Sequence, residues 1–341
     1  MELDGFRHVE KAHELGDLPQ RTTVTYRGRD VWVEWKDNLV IDGLYPHADH
    51  SEIRIGLLTD LLCHVKPIGF RAPPCLGYIK IQDSELGPRL GIVFENPPIH
   101  GTRSELITLQ SLLGQGPKPS LSVRLSLCAV LARCLYSFHS VNWMHKGLRS
   151  DNVIFFASSS ASVDLSSPYV SGFDLSRPSS IDTMTEKPGF NPVRDIYRHP
   201  DAQSGQTDGN FRKCYDIYSL GVVIIEVLLW KHIGEVAGFK DISKVKPSTL
   251  QGMQSWLLAR SPTGQASLPL TTATSESCLQ RVASEGGDVL RDIVKYCLTA
   301  DEVEQLQYPG EPPEMVVVRL QRVAGQDIVK RLESIPLALQ G

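Results

Sequence analysis

The sequence predicts an α+β fold in two lobes, a small β-rich N-terminal lobe with one main helix followed by a larger helical C-terminal lobe. Three observations predict it. Apolar residues alternate with a period of two through Thr22–Tyr26 and again through Val31–Trp35. They change to helical spacing through Ser51–Val65 and Ser120–Ser140. One segment, Ile217–Trp230, is apolar almost all round, the pattern of a helix buried in the middle of a domain. A sheet with one helix, a hinge and helices gathered about a buried one make a bilobal α+β arrangement.

The elements follow in order. Arg27-Gly28-Arg29 separates the first two strands, with glycine supplying the turn of a hairpin. In Ser51–Val65 the apolar positions 53, 55, 57, 58, 61 and 62 fall on one helical spacing, and Ser51 is placed to cap the helix. Cys75–Ile81 and Leu90–Glu95 read as strands on either side of a polar turn at Gly87-Pro88. A Pro/Gly-rich stretch from Pro97 to Pro119, interrupted by a short helical run at Glu105–Leu113, marks a boundary. The chain therefore divides into residues 1–96, a hinge and linker at 97–119, and residues 120–341. Ser120–Ser140 carries the stripe Leu121, Leu125, Leu127, Leu131, Leu135 and Phe138. Val153–Phe156 and Tyr169–Phe173 are short strands around a Ser-rich segment, Ala157–Ser167, that reads as a mobile loop. Phe239–Glu285 carries little pattern; Val289–Leu298 is an amphipathic helix, Leu306–Pro313 a break, and Met315–Ile335 a last helix.

Composition narrows the function classes. At 341 residues the chain is long enough for about two domains or lobes. With 35 Lys+Arg against 39 Asp+Glu, a net charge of −4 and a pI near 6.2, it lacks the basic excess of a general nucleic-acid binder. The longest apolar run, Leu220–Trp230, falls well short of the roughly 20 residues that span a bilayer. Met1-Glu2-Leu3-Asp4-Gly5 is acidic and polar, unlike a secretory leader. The expectation is an intracellular, cytoplasmic protein with no membrane span. The cysteines, at 63, 75, 128, 134, 214, 278 and 297, are odd in number and lack C-x-x-C spacing, which reads as reduced thiols without a metal site.

The segment His139-Ser140-Val141-Asn142-Trp143-Met144-His145-Lys146-Gly147-Leu148-Arg149-Ser150-Asp151-Asn152-Val153-Ile154 resembles the helix end and catalytic loop of eukaryotic protein kinases, H-R-D-L-x-x-x-N. His145, Leu148 and Asn152 stand at the pattern's spacing. Val33-Glu34-Trp35-Lys36 resembles the third-strand lysine motif, and Ile92-Val93-Phe94-Glu95-Asn96-Pro97 the hinge. Tyr197-Arg198-His199-Pro200-Asp201 is similar to the end of the activation segment, and Asp216-Ile217-Tyr218-Ser219-Leu220-Gly221-Val222 to the start of the central helix. These matches run in the family's order from about residue 22 to 300. The strings Val33–Lys36 and Gly172–Pro178 are also similar to a fungal kinase-like subgroup. The resemblance implies the bilobal kinase-like fold.

Kinase catalysis is mostly positioning and charge neutralisation, and it uses an Asp in the catalytic loop, an Asp in D-F-G for magnesium, a Lys–Glu pair and a Gly-rich loop. Here Gly147 takes the catalytic Asp position, and Gly172-Phe173-Asp174 puts Gly172 at the metal-ligand position. Only Gly16 lies in the stretch Glu14–Thr22 where a Gly-rich loop belongs. Arg54 falls at the position of the lysine's partner, and Glu52, two residues away, lies about 200° round the helix. Asp151 and Asp174 are the possible substitutes. Two extended residues displace a carboxylate by about 6–7 Å, far beyond a magnesium–oxygen distance of about 2.1 Å.

The resemblance therefore implies a catalytically impaired pseudokinase, a signalling scaffold or regulatory module that binds protein partners. Lys36, Phe94, Glu95, Asn96 and Asn152 would form a nucleotide pocket for weak ATP binding without tightly held magnesium, Phe94 narrowing its back. The alternative is an active atypical Ser/Thr kinase using Asp151 and Asp174, for which the Asp174 carboxylate would face the cleft beside Asn152. His145 and Asp216 take structural roles, Asp216 accepting backbone N–H groups of the loop. Asn152 is expected to bond the loop backbone, and Trp32 and Trp35 to pack. Arg194, Arg198, Arg212 and Lys213 read as a solvated face, with an anionic-partner patch as the sharper reading.

Overall fold

The computed structural model of the chain describes residues 6–7, 21–36, 48–64, 68–83, 87–97, 105–179, 189–203, 211–260, 276–306 and 312–338. It is a mixed α+β structure, an N-terminal antiparallel sheet followed by a mostly helical part. The sheet comprises β1 (Phe6–Arg7), β2 (Arg21–Tyr26), β3 (Arg29–Lys36), β4 (Cys75–Asp83) and β5 (Gly87–Glu95), in the order β1-β2-β3-β5-β4. Arg27 and Gly28 both take positive φ, 49° and 78°, giving the two-residue turn that matches strand twist. Arg29 thus joins β3, opposite Tyr26.

The pleat of β3 sorts its residues by parity. Val31, Val33 and Trp35 face a small cluster with Val24, Tyr26, Ile79 and Val93. Trp32, Glu34 and Lys36 share the opposite face, where Trp32 enters the main core. Trp35 lies against bare backbone at Gly91, where a Cβ would come within 2.9 Å of its ring.

α1 (Ala48–His64) packs on β4. It begins before Ser51, so that residue sits buried inside the helix and does not cap it. Gly87 and Pro88 are strand residues paired with Asp83 and Gln82, not the turn the sequence suggested. Glu105–Leu113 also departs from expectation. Its start is strand β6 (Glu105–Thr108), because Ile107 pairs with Phe155 and fills the core, and only α2 (Leu109–Leu112) is helical, capped by Thr108.

α3 (Leu121–Ser140) is by length and composition apolar enough to cross a membrane, although polar interruptions hide it from a search for unbroken apolar runs. Of that apolar stretch, 56% is buried against the rest of the molecule, as in a core helix. After it come β7 (Trp143–Met144), β8 (Val153–Ala157), β9 (Tyr169–Val170) and β10 (Arg177–Pro178). β7 pairs with β10, and β6-β8-β9 form a second small sheet. Residues 157–167 are tied by their own polar groups: Ser159 and Ser162 make a reciprocal cap, and Asp164 accepts from Ser166 N (2.9 Å) and Ser167 Oγ (2.9 Å).

The remaining helices are α4 (Pro192–Asp195), α5 (Lys213–Leu229), α6 (Ile233–Val236), α7 (Pro247–Leu250), α8 (Met253–Leu257), α9 (Cys278–Gly286), α10 (Asp288–Leu298) and α11 (Ala300–Gln305). From Cys214 to Leu229 every residue of α5 is buried. Gly221 lets α10 come close, since a Cβ there would meet Cys297 at 2.6 Å. The last expected helix is three pieces: α12 (Pro313–Arg322), a π-helical stretch (Val323–Lys330) and α13 (Arg331–Ala338). Pro313 opens α12 at its first turn, where its missing N–H costs nothing.

Candidate functional site

The inner face of β3 and the side of α1 meet the segments 145–152 and 171–177, and this cleft collects the charged groups of interest. Asp216, at the start of α5, organises its floor. It accepts from His145 N (2.8 Å), Lys146 N (2.8 Å) and His139 Nε2 (3.2 Å). Burial alone would raise its carboxyl; the His139 hydrogen bond, both imidazoles and the Lys146 amide outweigh that and hold it below the ordinary range. Burial pushes the His145 imidazole down to about 4. Its Nδ1 accepts from Gly147 N at 3.2 Å, and its ring packs against Phe173 and Phe138. Asn152 Nδ2 donates to the Gly147 carbonyl at 2.6 Å, closing the loop on itself.

The two glycines at the expected acid positions are required by packing. Gly172 has φ +85°, and a Cβ there would fall 1.8 Å from Asn152 Nδ2. At Gly147 a Cβ would lie 2.7 Å from the Gly172 carbonyl oxygen. Side chains at either position would need the loops to part.

Four charged side chains then reach across from β2, β3 and α1. Glu34 is fully buried and accepts from Gly172 N (2.8 Å) and Phe173 N (2.5 Å). Burial raises its carboxyl, against the pull of Arg21 and the two amides. Arg21 donates to the Asp151 carbonyl (2.9 Å), Ser171 Oγ (2.8 Å) and Asn152 Oδ1. Burial lowers its guanidinium, opposed first by Glu34 and then by Asp151. Arg54 donates to the carbonyls of Ser176 (3.0 Å) and Asp174 (2.7 Å). Lys36 Nζ reaches the Asp174 carbonyl at 3.4 Å. Glu52 ion-pairs instead with Lys80, at 2.5 Å on a partly exposed surface.

The other expected site residues divide. Phe94 is fully buried, stacked on Trp32 (4.5 Å between centroids, 19°) and 6.3 Å from Phe173. Glu95 turns to Arg29 at 3.0 Å. The backbone N–H of Asn96 donates to the Asp30 carbonyl at 3.3 Å. Asp151 pairs with Arg149 at 2.5 Å. Asp174 is half-buried, and its Oδ1 has no hydrogen-bond partner among the described residues. Gly16 lies outside the described residues. Thus Lys36, Asn152, Gly147, Gly172 and the Asp174 backbone come together, whereas Glu95 turns to a partly exposed ion pair.

Reading the motifs missed Arg21 and the role of Glu34, although the period of two in β3 already puts an acid between Trp32 and Lys36 on the core-facing side. The basic patch is also corrected. Arg198 is buried and pairs with Asp195, Arg212 pairs with Glu304 (3.2 Å), and Lys213 donates to the His139 carbonyl (2.8 Å). Beneath the cleft, Ser150 Oγ and Tyr197 OH lie 2.8 Å apart, and Tyr197 OH donates to Glu226 Oε1 at 2.7 Å. Burial raises Glu226 to about 7. Among the described residues, no three His, Cys, Asp or Glu side chains converge as metal ligands.

Residues 91–236 match a family described only as a domain of unknown function, DUF7580. The match contains the floor of the cleft, with Gly147, Asn152, Gly172 and Asp216, and stops short of Arg21, Glu34, Lys36 and Arg54. No curated protein matches the chain.

Proposed function

We propose that this is a protein kinase-like domain without phosphotransfer activity, a scaffold or regulatory module that works by binding protein partners inside the cell. The observation that carries the reading is the occupied cleft: Glu34 sits on the Gly172 and Phe173 amides, and Arg21 on Asn152 and Ser171. The donor set does not suit a magnesium nucleotide. Asn152 side-chain atoms fill the space where an acid at position 172 would start, and a buried carboxylate, Glu34, would face incoming phosphates. The order of the motifs and the anchoring of the loop by Asp216 support the kinase-like architecture. Nucleotide would enter only by displacing Arg21 and Glu34.

A sensitive radiometric assay with magnesium or manganese is expected to give no transfer to protein or to the chain itself. Thermal-shift titration with millimolar ATP, with and without EDTA, is expected to leave the midpoint unchanged. Transfer that disappears in Asp174→Ala would overturn the proposal in favour of the displaced-acid kinase.

A further inference from the structure

Cys63, in the last turn of α1, and Cys75, the first residue of β4, are the two half-buried cysteines; the other five are buried. The Cys63 thiol donates to the Cys75 carbonyl at 3.2 Å, which sets its sulfur against the Cys75 residue, and the Cys75 thiol reaches the Gly77 carbonyl at 3.8 Å. Cys75 lies at a β-bulge. It pairs with Phe94 while Gly77 pairs with Val93, so Leu76 is an extra residue, and such a bulge re-aims side chains and leaves the strand end able to adjust.

We propose that Cys63 and Cys75 are a peroxide-sensitive dithiol whose oxidation to a disulfide staples α1 to β4. Cys63 is the attacking group. The neighbouring Cys75 side chain outweighs burial and brings the Cys63 thiol down to about 7. The same pairing pushes Cys75 up, keeping it a protonated thiol while Cys63 is charged. Burial raises the others, Cys128 and Cys278 to about 12, which leaves them protonated and shielded.

The steps balance. The Cys63 thiolate attacks one oxygen of hydrogen peroxide, the O–O bond breaks, and the departing hydroxide takes a proton to become water. Cys63 is then a sulfenic acid, and the negative charge beside Cys75 is gone. The Cys75 sulfur attacks the Cys63 sulfur, the S–O bond breaks, and hydroxide leaves with the Cys75 proton as a second water. Peroxide is reduced and the two thiols are oxidised. A disulfide of this kind, reversed by a dithiol, suits a reducing compartment, where structural disulfides are rare. It would hold α1, and with it Arg54, in the position seen here.

The test is a non-reducing digest of the full chain after brief exposure to a few equivalents of hydrogen peroxide near neutral pH. The expected product is a linked Cys63–Cys75 peptide, with loss of two free thiols that dithiothreitol restores. In Cys75→Ser, dimedone is expected to label Cys63, and in Cys63→Ser no linked peptide forms. Wild-type protein in which Cys63 oxidises but remains unlinked, or in which a buried cysteine oxidises first, overturns the proposal. The wild-type digest decides this without either variant.

Discussion

Gly172 is held by Asn152 and by its own φ of +85°, so Gly172→Ala should cost about 3 kcal/mol of stability, measured by urea denaturation. The double variant Gly147→Asp/Gly172→Asp should lose stability and gain no phosphotransfer, since both new side chains begin inside neighbouring atoms. Glu34→Ala would strand the Gly172 and Phe173 amides and leave Arg21 without its strongest opposite charge; the expected cost is about 3–5 kcal/mol. Glu226 makes a prediction in pH. Its carboxyl ionises near 4.5 when unfolded and about 7 when folded, so the folded state keeps a proton that the unfolded chain has lost. Stability therefore falls as pH rises through that window. His145 acts oppositely, its stabilising contribution falling as pH drops from 6.5 towards about 4. Glu226→Gln removes the first slope alone, and between about pH 5 and about pH 8 it should gain about 3 kcal/mol relative to wild type. Parallel denaturation midpoints across that range would refute the assignment.

Helix α1 joins β2 and β3 in tying the two parts together through hydrogen bonds. Arg54 anchors it to two carbonyls of the segment after Gly172, and removing those donors leaves buried acceptors unmet. Arg54→Met should lower stability by about 2 kcal/mol and speed amide exchange across α1. Glu52→Gln, on the same helix but paired with Lys80 at the surface, should change stability by less than about 0.5 kcal/mol. That contrast separates the cleft contacts from helix propensity. It also explains why an arginine at this position could be recognised as a departure from the kinase pattern, yet not given a role: its partners are backbone carbonyls more than a hundred residues away.

An aromatic column ties the sheet to the helical part. Trp32 stacks on Phe94, Phe94 lies 6.3 Å from Phe173, Phe173 5.6 Å from Phe138, and Phe138 meets Phe70 edge-on at 5.0 Å. Together with the four charged side chains crossing the cleft, it should make the two parts unfold as one. Tryptophan fluorescence and far-ultraviolet circular dichroism are expected to give coincident transitions. Trp32→Ala should lower the common midpoint by about 3–5 kcal/mol of stability, and separate transitions in wild type would refute the coupling.

Local periodicity was enough to read the β2–β3 hairpin, α1, α3 and the buried helix α5, because alternation and helical spacing are written into neighbouring residues. Gly147, Gly172, His145, Asn152 and Asp216 were singled out differently, by the resemblance of their segments to kinase motifs and not by periodicity. The strand at Glu105–Thr108, the π-helical turn of the last helix and the pairing of Gly87-Pro88 depend on distant partners, which no short window contains. The same holds for the cleft. That Arg21, Glu34 and Arg54 lie across it follows from long-range packing that brings residues 21, 34 and 54 against residues 151–176, and desolvation makes those contacts strong once formed.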